Sequence, residues 1–227
     1  MTATFDETLG YLEANYLTLP HLAVLSGVEP SRLQALIAAG LLPAHSHEAT
    51  FSLSVYAPIN GAHPVAGKRV GYFHPDLVEL AREADKLARD LGLEAATTLV
   101  RDRHDATVAE AAALEAGSPA HRALADRAWS AWRDGTLGVC LRRFSTKHIV
   151  RKLAATERMK AMLALAAAHG DRAVDRRALG EAAEAYADVT GPFGPHERDG
   201  STRALVYEPA LALAARIDAA EPALATT

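Results

Sequence analysis

The chain has a single cysteine, Cys140, and few aromatic residues, which make up 6% of its 227 residues. One cysteine excludes an intramolecular disulfide and a zinc site built from several cysteines. Large aromatic side chains are scarce, while alanine, leucine and arginine are frequent, so we expect helices that pack closely through small residues. The composition therefore predicts a mainly α fold.

Long apolar runs are also missing. Arg, Asp, Glu or Lys interrupts every stretch that approaches the roughly 20 residues needed to span a bilayer. The N-terminal residues are acidic, whereas a secretory signal is basic and then apolar. These features predict a cytoplasmic protein without a membrane partner.

Positive charge is concentrated in one part of the chain. Residues 118–160, here called the basic segment, contain ten Lys and Arg against three Asp and Glu, a local charge of +7 in a chain whose total is −4. Such a field attracts an anionic ligand, a nucleic-acid backbone or acidic parts of the same protein. The basic segment is therefore the first candidate for a binding site.

Within the basic segment, Ser145 is a favourable N-cap, and the pattern after it predicts a long helix through His169. Lys147, Arg151 and Lys152 fall in the first two turns of this helix. Cations at a helix N-terminus oppose the macrodipole, so we expect an anion or an acidic partner there.

Upstream of the basic segment, residues 77–91 show the apolar periodicity of a helix, which Gly92 ends. The polar run 101–105 predicts a turn. A further helix is expected over residues 106–116.

The first third of the chain has the pattern of a helix-turn-helix. Thr18 and Pro20 predict the start of a helix that ends at Gly27, and Pro30 opens a second helix that extends to Ala39. Two β-like runs, TFSLSVYAP and GKRVGYFHP, then predict a hairpin.

This arrangement resembles the winged helix-turn-helix of MerR-type regulators and excisionase-like proteins. The residues that carry the resemblance are Leu22, Ala23, Gly27, Val28, Leu33, Gly40, Leu41, Leu42, Pro43, Arg69, Gly71, Tyr72, Asp76 and Leu77. The resemblance implies a winged helix-turn-helix module over residues 1–75, packed on a larger helical domain over residues 76–227.

DNA binding by this module is disfavoured by its charge. Residues 1–44 contain four acidic residues and one basic residue, whereas affinity for duplex DNA comes largely from cations that neutralise phosphates. The candidate DNA contacts are Ser31, Arg32, Gln34, Lys68 and Arg69. The alternative is a scaffold used for packing or protein contact.

The segment TGPFGPHERDGSTR, residues 190–203, is the most unusual loop of the chain and is here called the proline-glycine loop. Ordering a loop that carries a base, two acids and two guanidinium groups is costly unless the loop is used. We expect it to form an anion site with the basic segment, from Arg142, Arg143, Lys147, Lys152, Arg198, Ser201 and Arg203. The alternative is an internal salt-bridge network, in which Glu197 and Asp199 pair with Arg142, Arg143 or Lys147.

Cys140 is the candidate nucleophile, with His148 or His196 as the base and Glu197 beside them. A buried structural thiol is the competing interpretation. Cys140, His148 and His196 could also bind zinc, but their spacing matches no characteristic zinc motif, so no metal site is predicted. The sequence identifies no cofactor.

The N-terminal module, the block DGTLGVCLRRFSTKHIVRK and the late PHERDGSTR together resemble an uncharacterised bacterial family labelled as associated with natural-product biosynthesis. The resemblance implies a metabolic setting and supplies no reaction. Our first hypothesis is a protein of secondary metabolism, with or without enzymatic activity, that binds a small anionic metabolite in its C-terminal helical domain. The alternatives are a ligand-responsive MerR-like DNA-binding regulator and a structural adaptor.

Overall fold

A computed structural model describes residues 3–57, 59 and 61–220, and for residues 53–57 and 61–66 it describes the backbone alone. The described part of the chain is mainly helical and includes a small antiparallel sheet of three strands, which confirms the predicted mainly α class. Within these residues, no helix combines the length and the hydropathy that crossing a membrane would require.

The chain divides into two compact units. One, here called the sheet unit, comprises residues 12–100 and 133–139. The other, here called the helical unit, comprises the described parts of residues 1–11, 101–132 and 140–227. The predicted domain boundary at residue 75 lies inside the sheet unit.

The sheet unit contains two short helices followed by a long hairpin. Its elements are β1 Leu17–Thr18, α2 Leu19–Ser26, α3 Pro30–Ala38, β2 His47–Ala57, β3 Gly61–Phe73 and α4 Leu77–Leu91, while α1 Phe5–Asn15 enters it from the helical unit. The strand order is β1-β3-β2, and both pairings are antiparallel. The predicted hairpin is therefore present as β2 and β3. The two-residue strand β1, which pairs Leu17 with Phe73, was not predicted.

Glycine determines two features of this unit. Gly27 ends α2 in the left-handed region at φ 72°, and its N–H donates to Ala23 O, as the helix-stop signal predicted. Gly135 has φ 69°, and a Cβ at this position would lie 2.5 Å from the carbonyl oxygen of Ala44. Only glycine permits that close approach, which accompanies the hydrogen bond from Ala44 N to Arg133 O.

Four helices and a π-helical segment build most of the helical unit. They are α6 Pro119–Arg133, α7 Thr146–His169, α8 Arg176–Val189, the π-helical segment Arg203–Tyr207 and α9 Glu208–Ala220. The core of the unit is formed by α7, α8 and α9. Its largest buried side chains are Met159, Leu179, Tyr186 and Leu213, and many of the others are alanines, in agreement with packing through small residues.

The N-cap prediction for α7 is confirmed. Ser145 has extended backbone geometry, its side chain accepts a hydrogen bond from His148 N, and the helix runs from Thr146 to His169. This start fixes the orientation of the first turns of α7, which carry Lys147 and Lys152.

The predicted turn at residues 101–105 is wrong. A continuous helix, α5, runs from Leu93 to Ala112. The polar side chains that suggested a turn stabilise the helix instead, because Arg101 forms an i,i+4 ion pair with Asp105 at 3.0 Å. His104 is buried, with its ring 5.2 Å from that of Trp129.

Candidate functional site

The proline-glycine loop is attached to the segment around Cys140 by backbone hydrogen bonds. Gly191 N donates to Cys140 O at 2.8 Å, and Arg142 N donates to Val189 O at 3.0 Å. Leu141 and Thr190 form an isolated antiparallel bridge. The basic segment and the loop therefore meet at one place in the helical unit, here called the joint.

Arg142 lies at the joint, and its guanidinium group is held by the backbone of the loop. Its Nε donates to Thr190 O at 2.8 Å. Within the described part of the chain, no carboxylate lies within the 4.0 Å salt-bridge distance of Arg142. The guanidinium is thus oriented by a neutral carbonyl group, and its positive charge is not paired with an Asp or Glu.

Lys147 and Arg198 are both exposed. Considering residues 3–57, 59 and 61–220, neither forms an ion pair with an Asp or Glu at 4.0 Å or less. Among the described residues, neither Glu197 nor Asp199 therefore forms an ion pair with Arg142 or Lys147. Arg143, the remaining arginine of this part of the chain, is also exposed.

Two residues predicted for the anion site have local structural contacts. The buried hydroxyl of Ser201 donates to Arg198 O at 2.7 Å and accepts from Ala204 N at 3.2 Å, so it caps the helical segment that follows. Arg203 lies 5.5 Å from the ring centroid of Tyr207, and its Nε is 3.9 Å from a carboxylate oxygen of Glu208. These contacts hold the end of the loop.

Lys152 occupies a position that the sequence did not predict. Its side chain is buried at 4% relative exposure, and its Nζ lies 2.5 Å from the sulfur of Cys140, which is 2% exposed. The ring of Phe193, from the proline-glycine loop, lies 5.7 Å from Nζ. Helix α7 turns this face toward the core, so Lys152 contacts the thiol and is not an exposed cation of an anion site.

Burial controls the ionisation of the groups around this pair. It raises the pKa of the Cys140 thiol above its usual value, although the charge of Lys152 opposes the shift. Burial also raises the pKa of Glu197, against the charges of His196 and Lys152. The thiol therefore stays largely protonated near neutral pH, which disfavours a strongly activated nucleophile.

The two candidate histidines have different surroundings. His148 Nδ1 lies 2.8 Å from Ser145 Oγ, so this ring takes part in the cap of α7. His196 lies edge-on to Tyr11 at 6.2 Å between ring centroids, and its Nε2 is 4.0 Å from Glu197. Of the predicted catalytic residues, Cys140 contacts Lys152 directly, and the charge of Lys152 also acts on the pKa of Glu197.

The candidate DNA contacts lie in the sheet unit. Arg32 Nε is 2.9 Å from Asp85 Oδ1, so this guanidinium binds α4. Ser31 is exposed, and Arg69 lies 3.5 Å from Glu48. Gln34, Lys68 and Arg69 line one cavity of about 500 Å³ between α2, α3 and β3, together with apolar groups that include Ile37 and Phe73.

The sequence did not predict that the Thr190 carbonyl accepts a hydrogen bond from Arg142, or that the Phe193 ring lies against Lys152. Thr190 acts through its backbone carbonyl, and no sequence pattern identifies a carbonyl as an acceptor for a particular arginine. The pairing of Lys152 with Cys140 was missed because a separation of 12 residues, across a turn and a helix start, has no periodic signal. One indication was available in the sequence. Lys152 lies three residues after the apolar Ile149, so helical periodicity places both on the same, buried face of α7.

The comparisons with known proteins identify a family for this chain. The profile of a family described as "Family of unknown function (DUF6058)" matches residues 94–209. That range is 116 of the 227 residues and contains both the basic segment and the proline-glycine loop. No curated protein and no solved structure matches the chain.

Proposed function

The chain belongs to the DUF6058 family, whose function is unknown, and we propose that its helical unit binds a small anionic metabolite at the joint. The ligand class is a phosphate or carboxylate compound, because an arginine fork matches the geometry of both groups. The matched residues include the whole joint.

Arg142 is the observation that carries this proposal. The hydrogen bond from Nε to Thr190 O fixes the plane of the guanidinium before any ligand arrives. The loss of side-chain freedom on binding is therefore small, and an anion meets a donor group that is already oriented. Lys147 and Arg198, exposed on the two segments that meet at the joint, add positive charge without a carboxylate partner among the described residues.

Natural-product metabolism is the proposed setting, because the block DGTLGVCLRRFSTKHIVRK, which contributes Cys140 and Arg142 to the joint, is one of those that resemble a family with that label. An enzymatic form of the proposal would use Cys140 and Glu197, the predicted catalytic residues on whose pKa values the charge of Lys152 acts. Binding is the primary proposal, since the raised pKa of the thiol disfavours thiolate chemistry at neutral pH.

The test compares two exposed arginines of the helical unit. Arg142→Gln removes the oriented charge at the joint. Arg172→Gln removes a similar exposed charge beyond the other end of the 24-residue helix α7, about 36 Å away along the helix. Isothermal titration with inorganic phosphate, pyrophosphate and citrate measures binding, and circular dichroism verifies that both variants are folded.

We expect the wild type to bind at least one of these anions. Arg142→Gln should weaken that binding by about 10-fold or more, because a charge-assisted hydrogen bond contributes about 1.5–3 kcal/mol. Arg172→Gln should bind as the wild type does. Absence of wild-type binding in the millimolar range, or equal losses in the two variants, would contradict the proposal.

A second candidate function concerns the sheet unit. We propose that α2, α3 and the hairpin β2–β3 act as a winged helix-turn-helix of the MerR or excisionase type, in a ligand-responsive DNA-binding regulator. The observation that favours it is that Gln34 on α3 and Lys68 on β3 line the same cavity. The ion pair of Arg32 with Asp85 is against it, because this arginine is the one basic residue of α2 and α3.

A gel-shift assay with the DNA upstream of the protein's own gene tests the regulator. Binding should weaken steeply between low and moderate salt, because phosphate contacts release counterions. Lys68→Ala should weaken it further, while Lys86→Ala, which removes an exposed lysine paired with Asp90 on α4, should not. A protein that binds neither DNA nor anions would fit the structural adaptor.

A further inference from the structure

Cys140 and Lys152 form an unusual buried pair. Both side chains are more than nine-tenths buried, and the amine nitrogen lies 2.5 Å from the sulfur. A buried lysine is normally paired with a carboxylate. In the part of the chain that the structure describes, Lys152 has no carboxylate within 4.0 Å of its Nζ. The closest partner of the amine is an oxidisable sulfur atom.

The surroundings hold these two atoms in place. Lys152 extends from the second turn of α7, whose start is fixed by the Ser145 cap. The backbone carbonyl of Cys140 accepts from Gly191 N, so the cysteine is tied to the loop. Phe193 covers the amine at 5.7 Å. A reaction between the nitrogen and the sulfur would therefore need no change of backbone.

We propose that Cys140 and Lys152 are the site of an oxidative covalent cross-link, in which one oxygen atom bridges the cysteine sulfur and the lysine nitrogen. The oxidant is a small neutral peroxide or dioxygen, which can enter a site closed to larger reagents. The amine nitrogen and the sulfur are in contact without a direct bond, and one oxygen atom is the smallest group that can join them.

The chemistry balances in two steps with hydrogen peroxide. In the first, the Cys140 thiol gives up its proton, the thiolate attacks one peroxide oxygen to form a sulfenic acid, and the other oxygen leaves as water with that proton. In the second, the Lys152 ammonium first releases a proton to solvent. The resulting amine and the sulfenic oxygen then each lose one hydrogen as the O–N bond forms, and a second peroxide is reduced to two waters. With dioxygen, one oxygen atom enters the bridge and the other leaves as water.

The cross-link has two consequences for the helical unit. The basic amine becomes a much weaker base, so the buried positive charge is removed. The segment that precedes Arg142 becomes covalently attached to α7. This inference stands independently of anion binding, because it depends only on the pair itself.

Mass spectrometry of the full chain tests the proposal. After graded exposure to hydrogen peroxide, we expect the intact mass to rise by one oxygen less two hydrogens, about 14 Da. Dithiothreitol should restore the original mass. Digestion with trypsin before any reduction should give residues 134–142 joined to residues 152–158, because a modified Lys152 resists cleavage.

Three variants define the specificity. Cys140→Ser removes the sulfur of the bridge and Lys152→Met removes its nitrogen, so both variants should lose the 14 Da product. If one variant does not fold, the other still tests the proposal. Lys160→Met removes an exposed lysine of the same helix and should retain the product. Separate peptides in which Cys140 alone carries one, two or three oxygens would overturn the proposal. An unchanged mass across the peroxide series would overturn it as well.

Discussion

Lys152 directs its amine at the sulfur of Cys140 inside the helical unit, at a distance of 2.5 Å. Burying an ammonium group is unfavourable, and a thiol compensates less than a carboxylate does. Burial of the Cys140–Lys152 pair therefore lowers the free energy of unfolding. This effect on stability can be measured without knowing the function of the protein.

Replacing Lys152 by methionine should leave the free energy of unfolding unchanged or raise it by about 1–3 kcal/mol, because a side chain of similar length fills the site without a buried charge. Urea unfolding monitored by circular dichroism measures the change. Cys140→Ala should lower stability by about 1–3 kcal/mol, since the amine then loses its partner. A large loss of stability in Lys152→Met would show that the amine supports the fold.

His104 should make stability depend on pH. Burial lowers its pKa from 6.5 to about 4, and Arg101 adds to the shift, while Asp105 opposes it. Between pH 6.5 and 4 the unfolded chain binds a proton that the folded chain does not. The free energy of unfolding should therefore fall as the pH decreases through this window, by up to about 3 kcal/mol.

The contribution of His104 can be isolated with two variants. His104→Gln should show a smaller loss of stability between pH 7 and pH 4.5 than the wild type does. His169→Gln removes an exposed histidine at the end of α7 and should keep the wild-type dependence. Equal pH profiles for wild type and His104→Gln would refute this assignment.

The N-cap of α7 should contribute measurably to stability. Ser145→Ala removes the acceptor for His148 N and should lower the free energy of unfolding by about 1 kcal/mol. Ser31→Ala alters an exposed serine in α3 and should change it by less than about 0.5 kcal/mol. Thermal or urea unfolding distinguishes these values, and similar effects of both changes would contradict the role given to Ser145.

Two glycines with nearly the same positive φ should respond differently to alanine. Gly27→Ala meets no heavy atom within 4 Å and should lower stability by about 1–2 kcal/mol from backbone strain alone. Gly135→Ala adds a Cβ 2.5 Å from Ala44 O, so its effect should be clearly larger. Urea unfolding of the two variants compares them directly. Equal losses would mean that the turn at Gly135 relaxes without strain.

Local signals were enough to predict many elements of the fold. The cap at Ser145, the stop at Gly27 and the β-like runs of the hairpin depend on hydrogen bonds and dihedral preferences within a few residues. The same reasoning failed at residues 101–105, where polarity suggested a turn. The ion pair of Arg101 with Asp105 and the packing of His104 on Trp129 made that run helical.

The mainly α class, several helix starts and stops and the concentration of positive charge could be predicted from local propensity and composition. Contacts between distant parts of the chain determine which cations are buried, which are exposed and which are held by a backbone carbonyl. Lys152 and Arg142 are ten residues apart in one basic segment, yet one is buried beside a thiol and the other is exposed at a loop. That difference arises from contacts with Phe193 and Thr190, which are distant in sequence, and no local preference encodes it.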